Sequence, residues 1–161
     1  MFYVLSGAGA SGKSTLLPLL RKSRPDVRWH DFDELWTGGG KVERQQLTER
    51  WVGRALEHGG PFGLLCQCPL GEILCAPSAE RLTGIRHLLL DLGDVERVIR
   101  LRIRDGEATQ DMLNWAAWLR VHQALPDWHG QDPATLSWPG QTLDLSGLSP
   151  EGSAEAVLAC L

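Results

Sequence analysis

Residues 7–14, close to the start of the chain, have the types and spacing that bind a phosphate group. Their sequence, GAGASGKS, fits the pattern G-x-x-x-x-G-K-[ST] at every fixed position. Glycines let the backbone fold tightly, so that successive N–H groups point inward at an anion. The helix that follows adds its own unpaired N–H groups and the positive end of its dipole. The residues expected to contact a nucleotide are Gly7, Ala8, Gly9, Ala10, Ser11, Gly12, Lys13, Ser14 and Thr15.

Two side chains at the end of this phosphate loop (residues 7–14) have separate expected tasks. Lys13 can reach the β- and γ-phosphates, and the Ser14 hydroxyl can bind Mg²⁺. Residues 2–5 are apolar, as in a buried strand, and residues 15–20 are apolar enough to form a helix packed on a sheet. The alternative is a glycine-rich turn that carries a lysine. Because both the motif and its flanks match, the sequence predicts a site for a nucleoside triphosphate.

Asp31 and Asp33 follow the second predicted strand, residues 27–30, directly. The carboxyl ends of parallel strands converge, so these acids are expected close to the phosphate loop. Residues two apart on an extended segment can point the same way, one toward a metal and the other toward a substrate. The alternative is a solvated turn in which the acids cap a helix.

Composition sets the broad class. The chain has 161 residues, 43% of them hydrophobic, which suits one domain with a substantial core. Its net charge of −4 argues against a nucleic-acid partner. No apolar run approaches the roughly 20 residues that span a bilayer, and the first predicted strand leaves no room for a signal peptide. We therefore expect a cytoplasmic protein without a membrane partner.

Strand and helix patterns alternate along the chain. The predicted strands are residues 2–5, 27–30, 62–66, 87–92 and 142–145, and residues 126–141 are the least regular stretch. Predicted helices include residues 42–57, 109–124 and 150–160, and a further helix with Asp94 placed to cap it. This alternation predicts an α/β fold: a three-layer, doubly wound sheet of five parallel strands in the order 2-3-1-4-5, as in P-loop NTPases.

The cysteines are Cys66, Cys68, Cys75 and Cys160. The first pair has C-x-C spacing, without the second pair or histidines typical of a zinc site. Three thiols within ten residues could hold a metal, but the pattern favours buried thiols in a reducing compartment.

Features beyond the loop narrow the class of NTPase. The chain has no N-K-x-D guanine signature, which argues against a GTPase. Its third strand ends in Cys66-Gln67-Cys68 rather than in the metal-binding acid usual in motor and transporter ATPases. A phosphate loop at the N-terminus, D-x-D after the second strand and late arginines resemble the small-molecule kinases related to shikimate kinase, gluconate kinase and chloramphenicol phosphotransferase. Adenylate kinase is a more distant relative. The resemblance covers most of the architecture but only about a dozen motif residues, and residues 67–78 match none of these enzymes.

The resemblance implies a kinase that uses ATP and Mg²⁺ to phosphorylate a hydroxyl of a small molecule. Asp31 resembles the carboxylate that orients Mg²⁺, and Asp33 resembles the one that accepts the acceptor's proton. Arg104 is the first candidate for a lid arginine that clamps the phosphates, and Arg120 is the other. The preference for ATP over GTP also rests on the resemblance. A nucleotide-binding switch and a simple NTP hydrolase are the alternatives.

The implied domain spans residues 1–161, with a short lid around residues 104–110 and an acceptor-binding insert around residues 34–61. Arg97 and Arg100 are expected on a solvated helix face paired with nearby acids. Weaker candidates for acceptor binding or stacking follow the second and third strands. They are Trp36, Arg44, Arg50, Arg54, Gln67 and Glu72.

Overall fold

The computed structural model describes residues 1–122 and 141–161. Its strands form one parallel sheet in the order β2-β3-β1-β4-β5, which confirms the predicted order. They are β1 (Phe2–Ser6), β2 (Arg28–Asp31), β3 (Phe62–Cys66), β4 (Ile85–Asp91) and β5 (Gln141–Asp144). The irregular stretch predicted for residues 126–141 lies outside the described residues, except for its last position.

Helices lie between the strands along the chain. They are α1 (Lys13–Ser23), α2 (Lys41–His58), α3 (Leu70–Leu74), α4 (Asp94–Asp105), α5 (Gln110–His122) and α6 (Pro150–Ala159). Two 3₁₀ helices, Phe32–Leu35 and Ala79–Arg81, follow β2 and α3. No helix in the described ranges combines the length and apolar character needed to cross a membrane.

Alternate residues of β1 pack into two different cores, which gives the three layers. Phe2 and Val4 join the cluster that contains Trp51 of α2. Tyr3 and Leu5 join the cluster that contains Leu16 and Leu20 of α1. A central parallel strand is buried on both faces in this way because helices cover both sides of the sheet.

The register of the sheet brings the second strand level with the end of the first. Leu65 of β3 pairs with Leu5 on one side and with Asp31 on the other. Asp31 therefore lies level with Leu5 across the sheet. Leu5 is two residues before Gly7, where the phosphate loop begins. Parallel strands in this register place the phosphate loop and the two acids at one edge of the sheet.

Helix α4 differs from expectation in two respects. Gly93, rather than Asp94, is the N-cap, and Asp94 is the first helical residue. The apolar side chains of Val95 and Ile103 are 77% and 81% exposed, whereas Arg97 is fully buried. The hydrophobic pattern of this helix thus does not mark its buried face.

Candidate active site

The phosphate loop joins β1 to α1 through a backbone that leaves several N–H groups unbonded. Ala10 has a φ of 63° and Gly12 a φ of 91°, both in the left-handed region. The N–H of Gly7 donates to the Cys66 carbonyl at 3.0 Å. Among the described residues, nothing accepts a hydrogen bond from the N–H groups of Gly9, Ala10 or Gly12. These groups are available to a bound anion.

Gly7 lies where the loop leaves no room for a side chain. A Cβ at this position would stand 2.9 Å from the Leu90 carbonyl oxygen and still closer to the Ser11 hydroxyl. Because Leu90 contributes backbone, the neighbour cannot simply move aside. The close approach of the loop to β4 therefore requires glycine here.

Lys13 lies against the carbonyl side of the loop. Its Nζ donates to the Gly7 carbonyl at 2.6 Å and to the Ala8 carbonyl at 3.1 Å. Burial lowers the pKa of Lys13 to about 8, although the negative charges of Asp31 and Asp33 act against this shift. The lysine therefore lies within electrostatic range of both predicted acids.

Ser14 and Thr15 are exposed in the first turn of α1. The Thr15 N–H donates to the Gly12 carbonyl at 3.0 Å, which continues the loop into the helix. In the described part of the chain, no group forms a hydrogen bond with the Ser14 hydroxyl, so this oxygen can bind a ligand.

Asp31 and Asp33 occupy the turn between β2 and the following 3₁₀ helix. Asp31 Oδ1 accepts a hydrogen bond from the Asp33 N–H at 3.0 Å, so Asp31 caps that helix. Partial desolvation and then the charge of Asp31 raise the pKa of Asp33, while Lys13 and Arg44 lower it. Asp31 thus has the capping role of the alternative interpretation, and Asp33 lies near two cations that belong to the candidate site.

Glu34 fixes this turn from the other side. Its Oε1 accepts hydrogen bonds from the Asp31 N–H at 3.1 Å and from Arg21 Nη2 at 2.8 Å. Its Oε2 lies 2.6 Å from His30 Nδ1. The loss of Glu34 would therefore free the segment that carries the two acids.

Arg100 and Arg104 lie one turn apart on α4 and approach the phosphate loop. Arg104 Nη2 is 3.5 Å from the place that a Cβ on Gly9 would occupy, and Arg100 Nη1 is 3.7 Å from the corresponding place at Gly12. Arg104 is exposed and bonds to the adjacent Asp105. Arg100 pairs with Glu96 at 2.5 Å, as expected of a helix-surface residue. Its position beside the phosphate loop was not predicted from the sequence.

The expectation that Arg97 lies on a solvated helix face is wrong. The side chain is fully buried, and its Nη1 donates to the Gly9 carbonyl at 2.8 Å. Its Nη2 donates to Asp91 Oδ1 at 2.6 Å. A carboxylate at the end of a strand beside the phosphate loop is the sequence signal that could have found this contact.

Arg120 shares the same carboxylate. Its Nε donates to Asp91 Oδ2 at 2.6 Å, and its Nη2 donates to the Leu92 carbonyl and to Asp94 Oδ1, each at 2.7 Å. To clamp a phosphate as the sequence predicts, Arg120 would have to leave these partners.

Arg44 is the insert arginine that lies near the acids. Its Nε donates to Glu72 Oε1 at 2.8 Å and its Nη2 to Cys68 Sγ at 3.3 Å. Thr48 donates to the same carboxylate oxygen at 3.2 Å. The guanidinium carbon of Arg44 also lies 5.5 Å from the centre of the Phe32 ring.

The other insert candidates lie elsewhere. Arg54 stacks on Trp51, with 5.3 Å between its guanidinium carbon and the ring centre. Trp36 and Arg50 line a cavity of about 70 Å³ between residues 36–38 and α2, which is smaller than the 300–1,000 Å³ typical of ligand pockets.

Helix α5 packs on the phosphate loop. Ala116 and Leu119 form one buried cluster with Ala8. The Trp115 ring centre lies 6.0 Å from the guanidinium carbon of Arg44. The helix therefore connects the phosphate loop with the region around Arg44 and Glu72.

A buried polar group lies beneath the loop and was not singled out from the sequence. The Ser6 hydroxyl donates to the Cys68 carbonyl and lies 2.8 Å from His87 Nε2. Burial lowers the pKa of His87 to about 4 and raises the pKa of the Cys68 thiol well above its ordinary value. Cys66 and Cys68 are both buried, as expected, while Cys75 and Cys160 are half-buried.

Comparison with known proteins establishes the fold. No family model matches this sequence, and no curated protein matches it. A sugar kinase from Janibacter sp. HTCC2649 aligns with a TM-score of 0.67 and 17% identity over 99% of this chain and 92% of its own. The chain has the fold of P-loop kinases.

Two further kinase structures align over nearly the whole chain. A gluconokinase from Sinorhizobium meliloti 1021 has a TM-score of 0.64 and 14% identity, over 98% of this chain and 89% of its own. A shikimate kinase from Aquifex aeolicus vf5 has a TM-score of 0.62 and 15% identity, over 99% and 94% respectively. The fold class predicted from the phosphate loop and the strand pattern is thus confirmed.

Proposed function

We propose that this protein is a kinase that transfers the γ-phosphoryl group of ATP to a hydroxyl group of a small molecule. The observation that carries the proposal is the position of Lys13, bonded to the phosphate-loop carbonyls and within electrostatic range of Asp31 and Asp33. Nucleotide binding alone needs the loop and the lysine, whereas transfer to a hydroxyl also uses a nearby carboxylate. ATP rather than GTP follows from the resemblance to small-molecule kinases.

The reaction moves one phosphoryl group and one proton. The acceptor oxygen forms a bond to the γ-phosphorus while the bond between that phosphorus and the β–γ bridging oxygen breaks, and ADP leaves with the electron pair. Asp33 takes the proton of the acceptor hydroxyl, and its raised pKa makes it a stronger base. Lys13 and the free loop N–H groups hold the phosphates in position, which supplies much of the catalysis in this class of reaction.

The oxygen groups near the start of α1 suit Mg²⁺, a hard cation that prefers oxygen ligands. The unbonded Ser14 hydroxyl and the Asp31 carboxylate, which lies near Lys13, would hold the ion. The cap hydrogen bond uses only Oδ1 of Asp31, so Oδ2 stays available. When bound, Mg²⁺ neutralises charge on the phosphate oxygens.

Arg44 and Glu72 favour an acceptor without net negative charge. Glu72 neutralises the charge of Arg44, with 2.8 Å between Arg44 Nε and Glu72 Oε1. Asp33 adds a further carboxylate close to Arg44. A carboxylate on the acceptor would have to displace Glu72 from Arg44, whereas hydroxyl and amino groups would find carboxylate oxygens to accept their hydrogen bonds. In this proposal the insert at residues 34–61 contributes to acceptor binding through Arg44, and residues 104–110 form the lid.

An acceptor panel tests the proposed function. Purified protein is incubated with ATP, Mg²⁺ and hydroxylated metabolites or antibiotics grouped by charge, and ADP release is read above the rate without acceptor. Phosphorylated product is confirmed by mass spectrometry. Equal ADP release with and without every acceptor would indicate an NTP hydrolase, and bound nucleotide without turnover would indicate a switch.

Variants of the two acids test their roles once an acceptor is found. Asp33→Asn should lower kcat about 10²- to 10⁴-fold with nearly normal ATP affinity. Asp31→Asn should instead raise the Mg²⁺ concentration required for half-maximal activity. Asp26→Asn, an exposed acid paired with Arg24 before β2, is the matched control. Full turnover by Asp33→Asn would exclude Asp33 as the base.

A further inference from the structure

Arg97 contacts the phosphate loop from behind rather than from the nucleotide side. Its Nη1 donates to the Gly9 carbonyl at 2.8 Å. The peptide bond between Gly9 and Ala10 is trans, since the described chain contains no cis peptide. In a planar trans peptide the C=O and N–H groups point in opposite directions. Fixing the Gly9 carbonyl toward Arg97 therefore turns the Ala10 N–H away from it.

The Ala10 N–H is one of the loop groups that bond to nothing in the described residues. Ala10 has a φ of 63°, in the left-handed region that residues other than glycine rarely adopt. Such a conformation costs about 1 kcal/mol or more, so an external contact must hold it. The hydrogen bond from Arg97 is placed to do this, because it fixes the preceding peptide plane.

A purely structural role would explain Arg97 poorly. The side chain is fully buried, and its Nε has no hydrogen-bond partner within the described ranges. Burying a cation with an unpaired N–H is costly, and an apolar side chain of similar volume fills such a space at lower cost. What the guanidinium adds is a directed hydrogen bond to Gly9.

Asp91 holds the Arg97 guanidinium in its orientation. Its Oδ1 accepts from Arg97 Nη2 at 2.6 Å, and it comes from the end of β4, the strand beside the phosphate loop. Its other oxygen accepts from Arg120 of α5 at 2.6 Å. One carboxylate thus links α5, α4 and the phosphate loop.

We propose that Arg97 is a positioning residue that orients the Ala10 N–H toward bound phosphate, with Asp91 holding Arg97 in place. This inference rests on phosphate binding by the loop, which is part of the proposed function. Arg97 touches neither the nucleotide nor the transferred group. Its effect passes through one peptide plane, so it acts on phosphate affinity rather than on proton transfer.

The experiment titrates pyrophosphate and ATP into ¹⁵N-labelled protein. Wild type should show a downfield shift of the Ala10 amide proton as pyrophosphate binds. Arg97→Lys and Asp91→Asn should lose most of that shift and bind ATP about tenfold more weakly or worse, mainly as a rise in the KM for ATP. Arg97→Met should behave likewise if it folds. Arg102→Met, an exposed arginine of the same helix, is the matched control and should match wild type.

The outcomes separate this inference from the proposed function. If wild type binds neither pyrophosphate nor ATP, the proposed function fails. If wild type binds but folded Arg97→Lys and Asp91→Asn variants keep normal Kd values and the Ala10 shift, Arg97 is not a positioning residue. Equal losses in Arg102→Met would show a general charge effect and would likewise overturn the inference. A lower melting temperature with an unchanged Kd would assign Arg97 a structural role alone.

Discussion

Arg44 Nε donates to Glu72 Oε1 over 2.8 Å, which joins α2 to α3 across 28 positions of sequence. The side chains are 31% and 16% exposed, so the pair can meet a ligand while remaining partly shielded. When one partner of a shielded pair is removed, the charge of the other is left uncompensated and interacts more strongly with a bound ligand. The pair therefore offers a direct test of how the acceptor is chosen.

Glu72→Gln should shift the preference toward anionic acceptors. The substitution keeps an oxygen near Arg44 but removes its negative charge, leaving a cation free to bind an acceptor carboxylate. We expect kcat/KM for anionic relative to neutral acceptors to rise about tenfold, which corresponds to about 1.4 kcal/mol. Competition between paired acceptors that differ only by a carboxylate measures the ratio.

Glu80→Gln is the control for that substitution, because Glu80 is an exposed acid in the 3₁₀ helix Ala79–Arg81. It should leave the ratio unchanged. A wild-type enzyme that already prefers anionic acceptors would contradict the acceptor class while leaving the kinase reaction intact.

The affinity for ATP should fall as pH rises above about 8. Burial lowers the pKa of Lys13 to about 8 in the free protein, and a bound phosphate raises it again by adding negative charge. Between these two pKa values binding must take up a proton, so Kd rises by up to tenfold per pH unit. Calorimetry in two buffers of different ionisation enthalpy measures the proton uptake.

Lys13→Met provides the comparison for the pH series. It should bind ATP weakly and show no change in proton uptake across this pH range, whereas Lys22→Met should behave as wild type. An ATP affinity that stays flat above pH 8 in wild type would show that Lys13 keeps its proton, contrary to the lowered pKa.

The sequence was most informative where local patterns decide the structure. The phosphate loop is defined by eight adjacent residues, and β3 matches its predicted bounds because a short apolar run is enough to mark a buried strand. A helix was likewise predicted over residues 42–57, and α2 spans Lys41–His58 with Leu47, Trp51 and Val52 on its buried face. These features depend on near neighbours in the chain.

Features that depend on distant residues escaped prediction. Nothing within α4 distinguishes Arg97 from Arg100, because the choice is made by Asp91 on β4 and by the Gly9 carbonyl. The exposed Val95 even indicates the wrong face. Likewise, the selection of Arg44 among the insert arginines comes from Glu72 on α3. Only tertiary packing brings these groups together.

Stability should fall between about pH 6.5 and pH 4 because His87 is buried in its neutral form. Burial lowers its pKa from the ordinary 6.5 to about 4, so the unfolded chain binds a proton more readily over this range. The free energy of unfolding contributed by this residue is present above pH 6.5 and is lost as pH falls, by up to about 3 kcal/mol.

His87→Gln can still bond to Ser6 and cannot gain a proton. Chemical denaturation should therefore show a shallower acid slope for the variant, and parallel slopes would exclude His87 as the titrating group.

Arg104, rather than Arg120, should be the arginine that stabilises the transferring phosphoryl group. Arg104 is exposed near Gly9 and bonds only to the neighbouring Asp105 among the described residues, whereas Arg120 is held by Asp91, Asp94 and the Leu92 carbonyl. Arg104→Met should lower kcat about 10²-fold with little change in melting temperature.

Arg120→Met should instead lower the melting temperature and reduce kcat less, because it breaks hydrogen bonds to a partly buried carboxylate. Single-turnover rates at saturating ATP and thermal denaturation separate the two effects. The exposed Arg102→Met is the control for loss of charge on α4. If Arg120→Met lost kcat as severely as Arg104→Met while melting normally, Arg120 would have to leave Asp91 during turnover, and α5 would then close over the phosphates as the lid.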